Sequence, residues 1–132
     1  MTAELKGGTI LIVEDEPLIA EALTAALEDA GFSGLSATDA NGAMAILEKN
    51  RARDLAGLVT DINLGGPRNG WEIASRAREM NPALPVVYMS GDSAADWTAH
   101  GVPHSVVLQK PFAIAQVVVA ISGLLNRTHL DG

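Results

Sequence analysis

Gly8–Pro17 reads GTILIVEDEP. The apolar run Ile10 to Val13 stops abruptly at three adjacent carboxylates, Glu14, Asp15 and Glu16, and Pro17 follows at once. A short run rich in β-branched residues predicts a strand. Proline has no N–H to lose in a first helical turn, so Pro17 predicts a helix start. Between strand and helix lie three like charges at the edge of a hydrophobic core, where they repel one another. The fold and the function of the chain both follow from why they are there.

The alternation begun in this stretch continues to the C-terminus. Strands are expected at Thr9–Val13, Gly34–Ala37, Leu58–Thr60, Val86–Met89 and Ser105–Leu108. Leu18, Ala22, Leu23, Ala26, Leu27 and Ala30 mark one face of the helix that Pro17 opens, and Gly31 ends it. Asp39 is placed to cap a second helix carrying Ala43, Met44 and Leu47. A third runs from Gly70 through Met80 and stops before Pro82. The segment DSAADWTAHG, residues 92–101, reads as a short, weak fourth helix. Ile114, Val117, Val118, Ile121, Leu124 and Leu125 stand at helical spacing in a fifth. Strands alternating with helices predict an α/β, doubly wound parallel sheet of five strands with helices on both faces.

Bulk properties agree with one such domain. The chain has 132 residues, of which 48% are hydrophobic, enough to build a core at this length. No linker or repeat divides it, so residues 9–126 form the domain, with short tails at 1–8 and 127–132. The net charge of −7 disfavours direct nucleic-acid binding by phosphate neutralisation. There are no cysteines, which excludes disulfides and thiolate zinc sites. The longest apolar segment, AIAQVVVAISGLL, is too short and interrupted to span a bilayer. A soluble, cytoplasmic protein with no membrane association is expected.

Ligands of open α/β sheets bind beyond the carboxyl ends of the strands. There the order of elements gathers Glu14 and Asp15 from the first strand and Asp61 from the third. Ser90 arrives from the fourth and Lys110 from the fifth. Each alone has an ordinary reading: acids favour a helix start, and Asp61 or Ser90-Gly91 suit turns. Lys110 alone would be a solvated lysine. Their convergence at one rim calls for a joint reason. Clustered carboxylates raise one another's pKa unless a cation neutralises them. A few hard oxygen ligands suit Mg²⁺, which often shares a phosphate. A lysine binds phosphate as a point charge, and a hydroxyl donates to phosphoryl oxygens. Such parts favour phosphoryl transfer, with an aspartate able to act as nucleophile.

The stretches ILIVEDEP, LVTDINL, NGWEIA, VVYMSGD and LQKPF together give the chain, over nearly its whole length, a resemblance to the receiver domain of two-component response regulators. The resemblance implies a flavodoxin-like sheet of order 2-1-3-4-5. It implies Asp61 as phospho-acceptor and Mg²⁺ as cofactor, held by Glu14, Asp15, Asp61 and the backbone carbonyl of Asn63. Ser90 and Lys110 would contact the phosphoryl group, and the Lys110–Pro111 bond would be cis. Glu16 receives no such role and reads as a helix-start acid. The implied partners are a histidine kinase or a histidine phosphotransfer protein, followed by an unknown downstream protein. A weak homodimer is compatible with this reading. The implied function is that of a stand-alone, single-domain response regulator, similar to those of alphaproteobacteria, and not of an enzyme acting on other substrates. The alternative is a receiver-fold interaction module that takes no phosphate. A haloacid-dehalogenase-like phosphatase would need a second aspartate two residues after the nucleophile, where Asn63 stands.

The chain departs from the family pattern in two places. Gly65 occupies the usual proline position four residues after the acceptor, and the family glycine falls one residue late, at Gly70. Val107 stands where an aromatic residue usually couples to the Ser/Thr. Val107 has no ring to swing, so the response is expected instead in the segment from Gly91 to Gly101, where Gly91 is permissive and the helix short. A protein-binding surface is expected on the fourth and fifth helices around Trp97 and Val119, with chance exposure the ordinary alternative.

Overall fold

A computed structural model describes residues 8–50, 54–92 and 96–131. Five strands and five helices alternate: β1 (Gly8–Val13), α1 (Pro17–Asp29), β2 (Phe32–Ala37), α2 (Ala40–Asn50), β3 (Leu55–Asp61), α3 (Gly70–Met80), β4 (Val86–Ser90), α4 (Trp97–His100), β5 (Ser105–Gln109) and α5 (Ile114–Asp131). The strands form one sheet in the order β2-β1-β3-β4-β5, every neighbouring pair parallel.

Parallel strands joined by helical crossovers bury both faces, and β1 shows how. Leu11 and Val13 pack with α2 and α3 residues such as Ala43, Leu47, Ile73 and Ala77. Ile10 and Ile12 pack on the opposite face with Leu23 and Leu27 of α1 and Val117 and Ile121 of α5. All four β1 residues are fully buried. Pro17 is the first residue of α1. Asp39 Oδ1 accepts from the Gly42 N–H at 2.7 Å, the expected cap of α2. The Lys110–Pro111 peptide is cis.

β1 begins one residue early, at Gly8, and two strands begin earlier still, β2 at Phe32 rather than Gly34 and β3 at Leu55 rather than Leu58. Both of the latter contain a glycine, Gly34 at the start of the expected strand and Gly57 just ahead of it. In each case a helix packs too close for a side chain. A Cβ at Gly34 would lie 2.8 Å from Thr24 of α1, and one at Gly57 would lie 2.8 Å from Ile121 of α5. These glycines belong to strands because the layers touch there. The fifth helix continues to Asp131, beyond the boundary expected at residue 126. The weak fourth helix is reduced to Trp97–His100, and residues 93–95 lie outside the described residues.

The surface expectation divides. Val119 is 71% exposed, as its helical position requires. Trp97, in contrast, is not a free surface ring. It packs against the α2–α3 side of the core, and its indole N–H donates to Ser105 Oγ at 2.9 Å. The misreading arose because a four-residue helix shows no periodicity from which to judge its buried side.

Substituting Gly57→Val forces β3 and α5 apart. It should lower stability in urea unfolding by about 1–3 kcal/mol, the usual cost of overpacking. Gly66→Ala, where nothing lies within 4 Å of a new Cβ, should leave stability nearly unchanged.

Candidate functional site

The carboxyl ends of the strands carry the polar residues to one rim. Glu14 and Asp15 follow β1, Asp61 is the last residue of β3, Ser90 the last of β4, and Lys110 follows β5. One carboxylate oxygen from each of Glu14, Asp15 and Asp61 lies within 4.8 Å of the others. Lys110 Nζ donates to Asp61 Oδ2 at 3.2 Å and stands 3.6 Å from Glu14 Oε1. The Lys110 backbone N–H donates to the Ser90 carbonyl at 2.6 Å, so the two residues are tied through the main chain. Asn63 is two residues past β3, and its side-chain amide donates to Asp92 Oδ1 at 2.9 Å, linking the loops after β3 and β4.

This arrangement sets the charge states. Glu14 is fully buried, and loss of solvation pushes its carboxyl up to about 7. The Glu16 N–H, which donates to Glu14 Oε2 at 3.1 Å, opposes that rise, whereas the Asp61 charge adds to it. Burial also raises Asp61 above the usual carboxylate range, against the hydrogen bond and charge of Lys110. Burial alone would lower the Lys110 ammonium, but its bond to Asp61 and the charges of Asp61 and Glu14 outweigh burial and hold it above its ordinary value. One cation therefore faces two buried acids and a third, exposed one.

Glu14 Oε1 is the one buried side-chain polar atom among the described residues that accepts no hydrogen bond. A buried carboxylate oxygen left in this way is costly unless something binds it. Three convergent carboxylates, one of them with an unsatisfied oxygen, fit a hard divalent cation such as Mg²⁺.

The backbone around Asp61 is held by Thr60, which sequence reasoning passed over, and by Gly70, which it singled out as the late family glycine. The Thr60 hydroxyl donates to the Asp61 carbonyl at 2.9 Å. Gly70 N–H donates to the Ile62 carbonyl at 2.8 Å, and a Cβ on Gly70 would lie 2.3 Å from the Asp61 carbonyl oxygen. Only glycine permits that approach. The 64–70 loop, with its added residue, turns at Gly65, whose φ of +76° is in the left-handed region. Asn69 then caps α3 reciprocally with Glu72. The late glycine thus still closes on the acceptor strand. The signal for it was the NG pair before an apolar helical pattern.

Comparison with known proteins agrees with this fold. The family model described as the response regulator receiver domain matches residues 10–122. The probable transcriptional regulatory protein TcrX of Mycobacterium tuberculosis is 34% identical over 125 residues, covering 91% of this chain and 50% of that protein. The nitrogen assimilation regulatory protein NtrX of Azorhizobium caulinodans is 32% identical, covering 92% of this chain and 27% of its own length. The chain thus spans half or less of these two curated relatives. A response regulator receiver protein from Sinorhizobium medicae superposes with a TM-score of 0.87 at 40% identity, covering 94% of this chain and 98% of that one.

Two outcomes follow from the site. Gly70→Ala must displace the Asp61 backbone. It should destabilise the fold by about 1–3 kcal/mol and shift the amide resonances of residues 60–62, measured by NMR. In metal-free protein the folded state holds protons on Glu14 and Asp61 that the unfolded chain releases, because both acids are raised. Stability should therefore fall as pH rises from about 4.5 to about 7. Thermal unfolding with a chelator should show that fall, and added Mg²⁺ should flatten it.

Proposed function

The chain belongs to the response regulator receiver domain family, and on that premise we propose that it accepts a phosphoryl group on Asp61. The donor would be a histidine kinase or a histidine phosphotransfer protein. The observation that carries this reading is the convergence of the Glu14, Asp15 and Asp61 oxygens within 4.8 Å beside Lys110.

In the proposed reaction an Asp61 carboxylate oxygen attacks the phosphorus of the donor phosphohistidine. The new O–P bond makes an acyl phosphate, the P–N bond breaks, and the imidazole leaves with that electron pair. Lys110, already on Asp61, supplies positive charge for the phosphoryl oxygens. The Ser90 hydroxyl donates to one of them. Glu14, Asp15, Asp61 and the Asn63 carbonyl would hold Mg²⁺, which when bound neutralises charge shared between the acids and the phosphoryl group. The chain catalyses only its own phosphorylation and hydrolysis on this reading. Its signal leaves by contact with a downstream protein or by onward phosphotransfer, as a cytoplasmic regulator.

Acetyl phosphate with Mg²⁺ should add one phosphoryl group to the wild-type chain by intact mass, and chelation should prevent it. Asp61→Asn should abolish the addition. Lys110→Ala should slow it by roughly a hundredfold or more, the scale for loss of one charge-stabilising donor. Persistence of the adduct in the Asp61 variant would move the acceptor elsewhere. No adduct on the wild type would favour a receiver-fold interaction module.

A further inference from the structure

Behind the rim a second polar system leads away from the site. Tyr88 and Ser90 are alternate residues of β4, so they share a face of the sheet about 6.6 Å apart. Tyr88 is fully buried, and its hydroxyl accepts from the Val102 N–H at 3.0 Å. The Val102 carbonyl accepts from the Ser105 hydroxyl at 2.6 Å. Ser105 Oγ in turn accepts from the Trp97 indole at 2.9 Å. Four residues thus join the strand that ends in Ser90 to the first residue of α4.

Apart from this chain, α4 is contacted among the described residues by the Trp71 ring, whose centroid lies 5.9 Å from that of His100, and Trp71 also packs on Tyr88. Four residues fall well below the length at which a helix is stable alone, so tertiary contacts must set its position. The one backbone hydrogen bond that closes its C-terminus runs from the Gly101 N–H to the Trp97 carbonyl at 2.7 Å. A Cβ on Gly101 would lie 2.3 Å from the Trp97 ring, so the glycine makes room for the indole. Val107, the register partner of Tyr88 on β5, packs in the same cluster without a polar atom to contribute. Among the described residues a polar link from β4 to α4 therefore runs through the Tyr88 hydroxyl.

We infer that the Tyr88–Val102–Ser105–Trp97 chain is the output linkage of this protein, holding α4 docked at rest and releasing it when the end of β4 moves. The inference rests on the phosphoryl-accepting reading above. Ser90 drawn toward a group on Asp61 would pull the β4 terminus and carry Tyr88 with it. The Val102 amide would lose its acceptor, and the Val102 carbonyl that orients the Ser105 hydroxyl toward the indole would shift. Trp97 would then leave its pocket and expose the edge of α4 to a partner. Tyr88 and Ser105 act here as positioning residues, and neither touches the phosphoryl group.

The chain has two tryptophans, so Trp71→Phe leaves Trp97 as the sole indole reporter. In that background Mg²⁺ with beryllofluoride, a phosphoryl mimic, should shift Trp97 emission to the red. Adding Tyr88→Phe, which removes one oxygen, should move the resting emission to the red and abolish the response. Phosphoryl uptake from acetyl phosphate, followed by intact mass, should persist. Ser105→Ala should do the same from the other end of the chain, and it supplies the test if the tyrosine variant does not fold. Uptake on Asp61 with no red shift of Trp97 would overturn the linkage while leaving the phosphoryl-accepting reading intact. An unshifted resting emission with a full beryllofluoride-induced red shift in both the tyrosine and serine variants would overturn it equally. Failure of the parent chain to take up phosphoryl would overturn both.

Discussion

Everything at the rim depends on one imbalance of charge: Glu14 and Asp61 are buried together against a single ammonium, Lys110. Burying two carboxylates with one cation is unfavourable in proportion to the solvation they lose. Lys110 cannot satisfy both, and it sits closer to Asp61, leaving one Glu14 oxygen without a hydrogen bond. A core designed for stability alone would replace the acids. Their retention makes sense where a cation and a phosphoryl group complete the balance. The three acids of the EDE run then divide the work. Glu14 and Asp15 join the cluster, and Glu16 uses its backbone N–H to steady Glu14.

The scaffold keeps that imbalance in place by close approach of backbone. Gly70 meets the Asp61 carbonyl, and Gly34 and Gly57 let α1 and α5 lie against the sheet. The phosphoryl-accepting reading needs this rigidity, because transfer to a carboxylate relies on positioning more than on covalent help from the protein.

Much of this was legible in the residues. The apolar run from Ile10 to Val13, Pro17 after the acids, and the strand–helix alternation led directly to the parallel sheet and to its carboxyl rim. Glu14, Asp15, Asp61 and Lys110 meet where that topology puts them. Less legible was whatever depends on contacts between distant segments. The residues ahead of Gly34 and Gly57 were left out of the expected strands, and Gly57 with them, because local propensity carries no knowledge of the helix that packs on each glycine. Trp97 looked like an exposed docking residue because its partner, Ser105, lies eight residues on in another element. The Asn63–Asp92 bond escaped for the same reason, bridging two loops 29 residues apart.

The most direct test of the central claim is to locate the phosphoryl group chemically. After phosphorylation with Mg²⁺, borohydride reduces an acyl phosphate and leaves an altered side chain that tandem mass spectrometry can place. The account predicts reduction at Asp61, dependent on Mg²⁺ and absent at Glu14 and Asp15. Reduction at another carboxylate, or at Asp61 with equal yield after chelation, would contradict it.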